Sequence, residues 1–483
     1  MSETISEMIL PGTYIEVRAE GLIGVGGIAT GNVGVVGTAS RGPVNQVVVL
    51  GSYSEAVDTF GAYDRWPDAK ADQPKALTLT RTLEQVFKGG ASTVYAVRVA
   101  NGDPANATWT VQTGAPAAAL FTLTAVSPGT WANAIKATLA TADGNPVTAT
   151  NPAILILVAG RIKETFAGAT AGDLAQAVAA GSKLVTASAP ADADKGKVPA
   201  SVVVGTAGGP DGTPATTVQL AAGLNALANQ PVNIVAATPV SPGEPSFATV
   251  ITHLEQTEND GRDRIAVVGA SVAGSPADDP TTILSPSKPS HPRLVLVAPG
   301  IVATDAQRAN EANSTVSLPA SYAAALVAGR LATLAPHVSL TNKDIAASDL
   351  ARDYTRAEQK QLLGGQVMVL QKNLGIRALK GITTDTGPFR QISVRRIVDY
   401  AKAGVRIGAD PYIGRLNNLR VRAALKATLD GFLAGMVLDE MLTGYQLDVT
   451  ATRAQEINGQ AIVTMVLQPT FSIDFVKVIM NLQ

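Results

Sequence analysis

Cysteine is absent from all 483 residues. That excludes disulfides, thiolate metal centres and a cysteine nucleophile. Histidine is nearly absent. The three copies, His253, His291 and His337, lie far apart, and none has a partner at metal-ligand spacing. Charge is scarce too: Asp, Glu, Lys and Arg make up 16% of the chain, against about 25% in ordinary soluble proteins. A surface so poor in charge suits a protein largely covered by copies of itself. A globular protein rich in Ala, Gly and Thr has the same composition. No apolar run reaches the ~18 residues of a membrane span; the run at 323–329 stops at Arg330. The opening Met1-Ser2-Glu3-Thr4 lacks the basic segment of a secretory signal.

What is present is core material. Hydrophobic residues make up 46% of the chain, and its length suits two to four domains of roughly 100–200 residues each. Over 32–99, short apolar runs alternate with amphipathic stretches. Strands are expected at 32–37, 46–50 and 94–99, with helices at 52–60 and 77–87. Ser52 stands three residues before Glu55, as at a capped helix start. Residues 101–210 turn rich in Thr, Ala, Val, Pro and Gly, with strands at 108–111 and 153–158 and one helix at 171–180. They end in the turn signal Gly208-Gly209-Pro210-Asp211-Gly212. From 215 the first pattern resumes, so the middle segment is a nested domain. Two helices, 389–405 and 416–442, dominate the last part, followed by strands at 445–451 and 461–467. The fold class is an α/β and α+β multidomain protein. Its units are an N-terminal arm (1–20), a Gly-rich connector (21–31), a discontinuous α/β domain (32–100 and 213–329) with a strand-rich insert (101–212), a C-terminal α+β core (330–468) and a C-terminal arm (469–483).

Signals for catalysis are weak. Gly24, Gly26 and Ala29 fit the relaxed G-x-G-x-x-A form of a dinucleotide site. That mechanism needs a strand before the glycines and a helix N-terminus after them; here a strand follows, no acidic residue stands about 20 residues on at a strand end, and the nearest candidates, Glu55 and Asp58, lie inside a helix. A flexible connector explains the glycines better, with Gly24, Gly26, Gly27 and Gly31 as candidate hinge positions. There is no P-loop and no G-x-S-x-G elbow. Asp260, Asp263, Asp278 and Asp279 lack the order of a calcium loop. His253 reads as a surface residue on a polar helix face. No cofactor and no metal are expected.

Charge is uneven near the end. Between 371 and 426 stand twelve Lys and Arg against Asp385, Asp399 and Asp410. This is either a solvated helix face or the complement of an acidic protein partner. The sparse aromatics argue against single-stranded nucleic acid. Arg415, Arg422 and Lys426 are the candidate docking residues.

Both termini carry extended segments introduced by proline. Tyr14-Ile15-Glu16-Val17 puts Ile15 and Val17 on one face; Phe471, Ile473 and Phe475 alternate in the other. Such strands join either the chain's own sheet or that of another copy.

The ordered motifs carry a resemblance. Pro11-Gly12-Thr13-Tyr14-Ile15-Glu16 is followed by Gly34-Val35-Val36-Gly37, Arg41-Gly42-Pro43-Val44-Asn45, Phe87-Lys88-Gly89-Gly90 and Val94-Tyr95-Ala96-Val97-Arg98-Val99. Then come Ser127-Pro128-Gly129-Thr130-Trp131-Ala132-Asn133, Gly208-Gly209-Pro210-Asp211-Gly212, Ile392-Ser393-Val394-Arg395-Arg396-Ile397, Ile457-Asn458-Gly459 and Gln468-Pro469. The series resembles contractile tail sheath proteins of phage tails, R-type tailocins and related injection systems. The segments 409–412 and 470–475 depart from the family's commoner forms. The resemblance implies a non-enzymatic subunit that polymerises helically with itself around an inner tail tube protein and contracts from a metastable extended state. It implies baseplate and tail terminator proteins as further partners, no nucleic acid and no direct membrane binding. It implies a place in a virion tail or injection particle assembled in the bacterial host cytoplasm. It gives the terminal arms an intersubunit role and the basic residues a tube-facing one. Another self-assembling viral structural protein, or a dinucleotide-binding α/β enzyme, are the alternatives.

Overall fold

The computed structural model describes residues 27–66, 77–102, 104–140, 152–160, 162–238, 240–271, 278–285, 289–311 and 314–480. The chain begins with β1 (Val33–Gly37), β2 (Val47–Leu50), α1 (Tyr53–Phe60), α2 (Leu79–Lys88) and β3 (Val94–Arg98). Ser52 caps α1 by accepting from the Glu55 amide at 3.3 Å. An insert follows: β4 (Thr108–Gln112), β5 (Ala119–Ala125), β6 (Lys136–Ala140), β7 (Ala153–Ala159), β8 (Ile162–Gly168), α3 (Ala171–Gly181), β9 (Val185–Ala187) and β10 (Ser201–Val204). Its two sheets, β10-β4-β5-β9 and β6-β7-β8, enclose a separate core of Trp109, Leu123, Leu155 and Leu157 with Leu174 and Val178 of α3.

The first pattern then resumes with α4 (Thr217–Ala228), β11 (Ile234–Ala237), α5 (Pro245–Asn259), β12 (Ile265–Gly269), α6 (Pro280–Leu284), β13 (Leu294–Ala298), β14 (Ile301–Thr304), β15 (Thr315–Leu318) and α7 (Ala320–Ala332). After these come β16 (Asp349–Leu350), α8 (Arg356–Gly364), β17 (Met368–Lys372) and β18 (Ile376–Ala378). One sheet of order β18-β17-β13-β12-β11-β1-β3-β2 gathers these pieces. Its inner six strands are parallel; β2 and β18 close the edges antiparallel. Helices α2 and α7 cover one face over Val33, Val35, Ile265 and Val267. Helices α4, α5 and α8 cover the other over Val36, Val235, Ala266 and Val268. Burial on both faces is why these strands read as unbroken apolar runs. The expected boundary at 330 cuts through this sheet. β17 and β18 belong to it because Met368 and Val369 pair with Val297 and Ala298.

Last come α9 (Ile392–Ala409), α10 (Leu419–Leu438), β19 (Leu442–Thr450), α11 (Arg453–Ile457) and β20 (Ile462–Pro469). α9 and α10 form a hairpin. Gly404 allows their close approach: a Cβ there would strike the Phe432 ring. β19 and β20 pair antiparallel from Leu442↔Pro469 to Thr450↔Ile462, and one face of the ribbon packs on the helices through Tyr445, Leu447, Met465 and Leu467.

His253 is not a surface residue. It is 3% exposed, and its Nε2 lies 3.0 Å from Arg264 Nη1. A guanidinium only donates, so Nε2 accepts and the imidazole is neutral. Burial and the Arg264 charge hold its pKa down to about 4. The unfolded chain then binds the proton more tightly than the fold does. His253 stability is complete above the unfolded pKa of about 6.5 and falls as pH drops towards 4, by about 3 kcal/mol in all. His253→Gln keeps an acceptor for Arg264 but does not titrate. Urea midpoints measured from pH 7 to 4.5 should show a clearly smaller loss in the variant than in the native chain.

Candidate functional site

Helix α9 carries Arg395, Asp399, Lys402 and Arg406 at spacings that bring them to one face. That face meets the N-terminal ends of β12 and β13. Arg293, with no exposed surface, is the hub. It reaches Glu258 at 2.7 Å, Asp263 at 2.6 Å and Asp399 at 2.7 Å. Lys402 adds bonds to Asp263 at 2.5 Å and Glu258 at 3.0 Å; Arg406 adds one to Asp263 at 2.7 Å, and Arg395 one to Asp399 at 2.5 Å. Hydrogen bonds from Arg293 hold the Glu258 carboxyl down at about 2. Burial raises Asp263, but Lys402 and Arg406 outweigh it and the net shift is downward. Arg396, beside this face, donates to the carbonyls of Leu334 at 2.9 Å, Ala335 at 3.3 Å and Thr30 at 3.2 Å. The hub bolts the C-terminal hairpin to the α/β sheet.

The insert is rooted by a second joint. Arg98, also without exposed surface, donates to the carbonyls of Gly42 and Pro128, both at 2.8 Å. The Asp211 carboxylate accepts from the Thr130 amide at 2.8 Å, and Asn133 Oδ1 accepts from the Gly208 amide at 2.7 Å. The motifs at 127–133 and 208–212 thus meet at the insert's root. Positive φ at Gly129 and Gly212 lets the backbones cross there.

The third feature is an unfinished sheet. Among the described residues β19 and β20 pair only with each other, so both outer edges of the ribbon keep unpaired N–H and C=O groups. Residues 470–480 follow β20 without forming a strand. Along them Phe471, Ile473, Phe475, Val476, Val478, Ile479 and Met480 are 62% to 84% exposed. An apolar strip of this length is rare on a monomer surface.

The profile of the phage tail sheath C-terminal domain matches residues 384–483. It starts just after β18 and takes in the hairpin, ribbon and tail. The tail sheath protein of Bacillus phage SP01 is 28% identical over 213 residues, which are 42% of this chain and 36% of that protein. The C-terminal part of the chain carries the phage tail sheath C-terminal domain. The match spans about a third of that curated relative's length. A solved sheath tail protein from Listeria innocua has the same fold, with a TM-score of 0.66 at 16% identity over 94% of this chain and 95% of that one. The helical sheath of the anti-feeding prophage in its contracted state gives 0.57 at 15% identity, covering 98% and 99%.

Placed in this sheath fold, the sequence candidates separate. Tyr14, Ile15, Glu16, Val17, Gly24 and Gly26 lie outside the described residues. Gly27 has open space around it, whereas a Cβ on Gly31 would strike the Ala332 carbonyl, so Gly31 is there for close packing. Residues 27–30 line a cleft of about 470 Å³ with Arg396 and Arg406. It lies at the N-terminal ends of β1, β11 and β12, the opposite end from a dinucleotide-binding turn. Arg396 and Arg406 are engaged there by backbone carbonyls and Asp263. Among the described residues no three His, Asp or Glu are grouped as a metal needs.

The basic stretch mostly meets its own chain. Among the described residues, Lys372, Lys380, Arg395, Lys402, Arg406, Arg422 and Lys426 pair with carboxylates. Arg422 holds Glu456 of α11 at 2.9 Å and Lys426 holds Asp448 of β19 at 3.2 Å. Arg415 is exposed and donates to the Pro411 carbonyl. Sequence reasoning missed the hub. The run of Lys and Arg between 371 and 426 marked a basic stretch, but nothing local tied Arg395, Lys402 and Arg406 to Glu258, Asp263 and Arg293.

Proposed function

We propose that this chain is the structural subunit of a contractile tail sheath, not an enzyme. Copies polymerise helically around an inner tube and contract to drive that tube through a target envelope. The energy comes from passage of a metastable extended lattice to better contacts. The observation that carries this reading is the open-edged β19–β20 ribbon beside an exposed apolar tail. A ribbon with free edges and an exposed apolar tail without a sheet are complementary between copies. Residues 11–18 would add a strand in the same way. The tube, the baseplate and a tail terminator are the further partners, in the tail of a virion or injection particle assembled in the host cytoplasm. Of the three docking candidates, Arg415 takes the tube-facing role, since Arg422 and Lys426 have carboxylate partners. Negative-stain microscopy of concentrated purified protein tests the reading. Wide tubes or helical polymers are expected; a monodisperse monomer, or closed shells, would overturn it.

A further inference from the structure

The tail is not free along its whole length. Gln391, the residue that precedes α9, grips the backbone of Ser472 with both amide atoms: Oε1 accepts from the Ser472 N–H at 3.2 Å, and Nε2 donates to its carbonyl at 3.5 Å. The same Nε2 donates to Asp474 Oδ2 at 3.2 Å. Lys380 pairs with Asp474 at 3.0 Å, with side chains only 15% and 11% exposed. Thr341 Oγ1 donates to Asp474 Oδ1 at 3.4 Å, and the Lys380 ammonium stands 4.8 Å from the Phe475 ring centre. Three separate segments of the chain therefore converge on residues 472–475. Beyond them, among the described residues, no polar contact to the rest of the chain holds the tail through 480.

We propose that Lys380, Gln391 and Asp474 are positioning residues: a clamp that fixes the root of the C-terminal tail and aims residues 475–483 at the sheet edge of a second copy. The proposal rests on the sheath reading above and divides the tail in two. Residues 471–474 belong to their own subunit, and only residues beyond 474 can cross; those from 475 to 483 span at most roughly 30 Å. Ordering a strand costs conformational entropy at every residue. A root already immobilised lowers that cost at the moment of association, as preorganisation does in any interface. A charged pair shielded from water is suited to this, because its attraction is less screened than that of a surface pair. The clamp also links the tail to the α/β unit through Thr341 and Lys380 and to the start of α9 through Gln391. Movement of that joint would move the tail's root with it.

The test uses the full chain with Lys380→Asp, Asp474→Lys and the double exchange, beside truncation after Asp474. Gln391 and Thr341 can each donate or accept, so both suit the exchanged pair. Each single reversal should raise the concentration needed for assembly at least about tenfold, with the circular dichroism spectrum unchanged. In the unassembled protein each should also speed removal of the tail by carboxypeptidase. The exchange should return both readouts to within about threefold of the native chain. The milder Asp474→Asn, isosteric and on the tail itself, should shift both in the same direction as the reversals. Single reversals that assemble like the native chain, while the truncation does not, overturn the clamp and leave the sheath reading standing. An exchange that stays as defective as the single reversals also overturns it. A truncated chain that assembles normally overturns both.

Discussion

Truncation after Asp474 should abolish assembly and leave the monomer's urea midpoint where it is in the native chain. The two halves of this expectation have one cause. Phe475, Val476, Val478, Ile479 and Met480 are all largely exposed, so they add almost nothing to the single chain's core. Covered by a neighbour, each such side chain is worth about 1.5–3 kcal/mol. Five of them outweigh the ordering cost only when the sheet edge supplies backbone hydrogen bonds as well. Their loss should weaken association by more than about a thousandfold, since each 1.4 kcal/mol is a factor of about ten. Sedimentation and negative-stain microscopy of native and truncated chains at equal concentration read the result. Polymers of normal length from the truncated chain would refute the role given to the tail.

Arg293→Met should be the most damaging single substitution for the folded subunit. The guanidinium has no exposed surface and faces Glu258, Asp263 and Asp399. Removing it leaves three carboxylates crowded together, with Arg395, Lys402 and Arg406 as their remaining cations. Breaking a buried pair by deleting one partner costs about 3–5 kcal/mol. Arg293→Lys should recover less than half of this, because an ammonium cannot bridge three carboxylates with a planar fork. The damage should be local first. Protease should cut near residue 384, freeing the α9–α10 hairpin before the α/β sheet opens. Acid separates the variant further. In the native chain Glu258 is held at about 2. A carboxylate depressed in this way contributes stability that is complete above its unfolded pKa near 4.5 and is lost as pH falls towards 2. Without Arg293 that contribution shrinks at every pH above 4.5, and the acid-induced fall below it is smaller. A loss under about 1 kcal/mol at neutral pH would show that the hub does not hold the two units together.

The hub and the clamp share a design. In each, charges from distant parts of the chain meet where two units join. The joints of this subunit are polar and the bodies they connect are apolar. Apolar contact sets how much surface is buried, and hydrogen-bonded ions set the one geometry in which it is buried. Retention of such pairs for specificity is consistent with Arg98 too, which ties the insert's root through backbone carbonyls.

Much of this was legible along the chain. Periodicity marked the alternating strands and helices, the change of composition marked the insert, and Ser52 before Glu55 marked a real cap, because these signals depend on neighbours a few residues apart. The alternation of Phe471, Ile473 and Phe475 was legible too, but the strand read there does not form within the single chain. The tertiary structure alone decided which charges are spent within the chain. Arg293 and Asp399 are 106 residues apart, and Ser472 and Gln391 are 81. No local pattern encodes such pairings, since the partners meet only through the tertiary fold. For that reason His253 read as surface and lies buried, β17 and β18 read as part of the last unit and complete the first sheet, and the basic stretch read as a solvated face or a face for a partner and serves largely to hold its own chain.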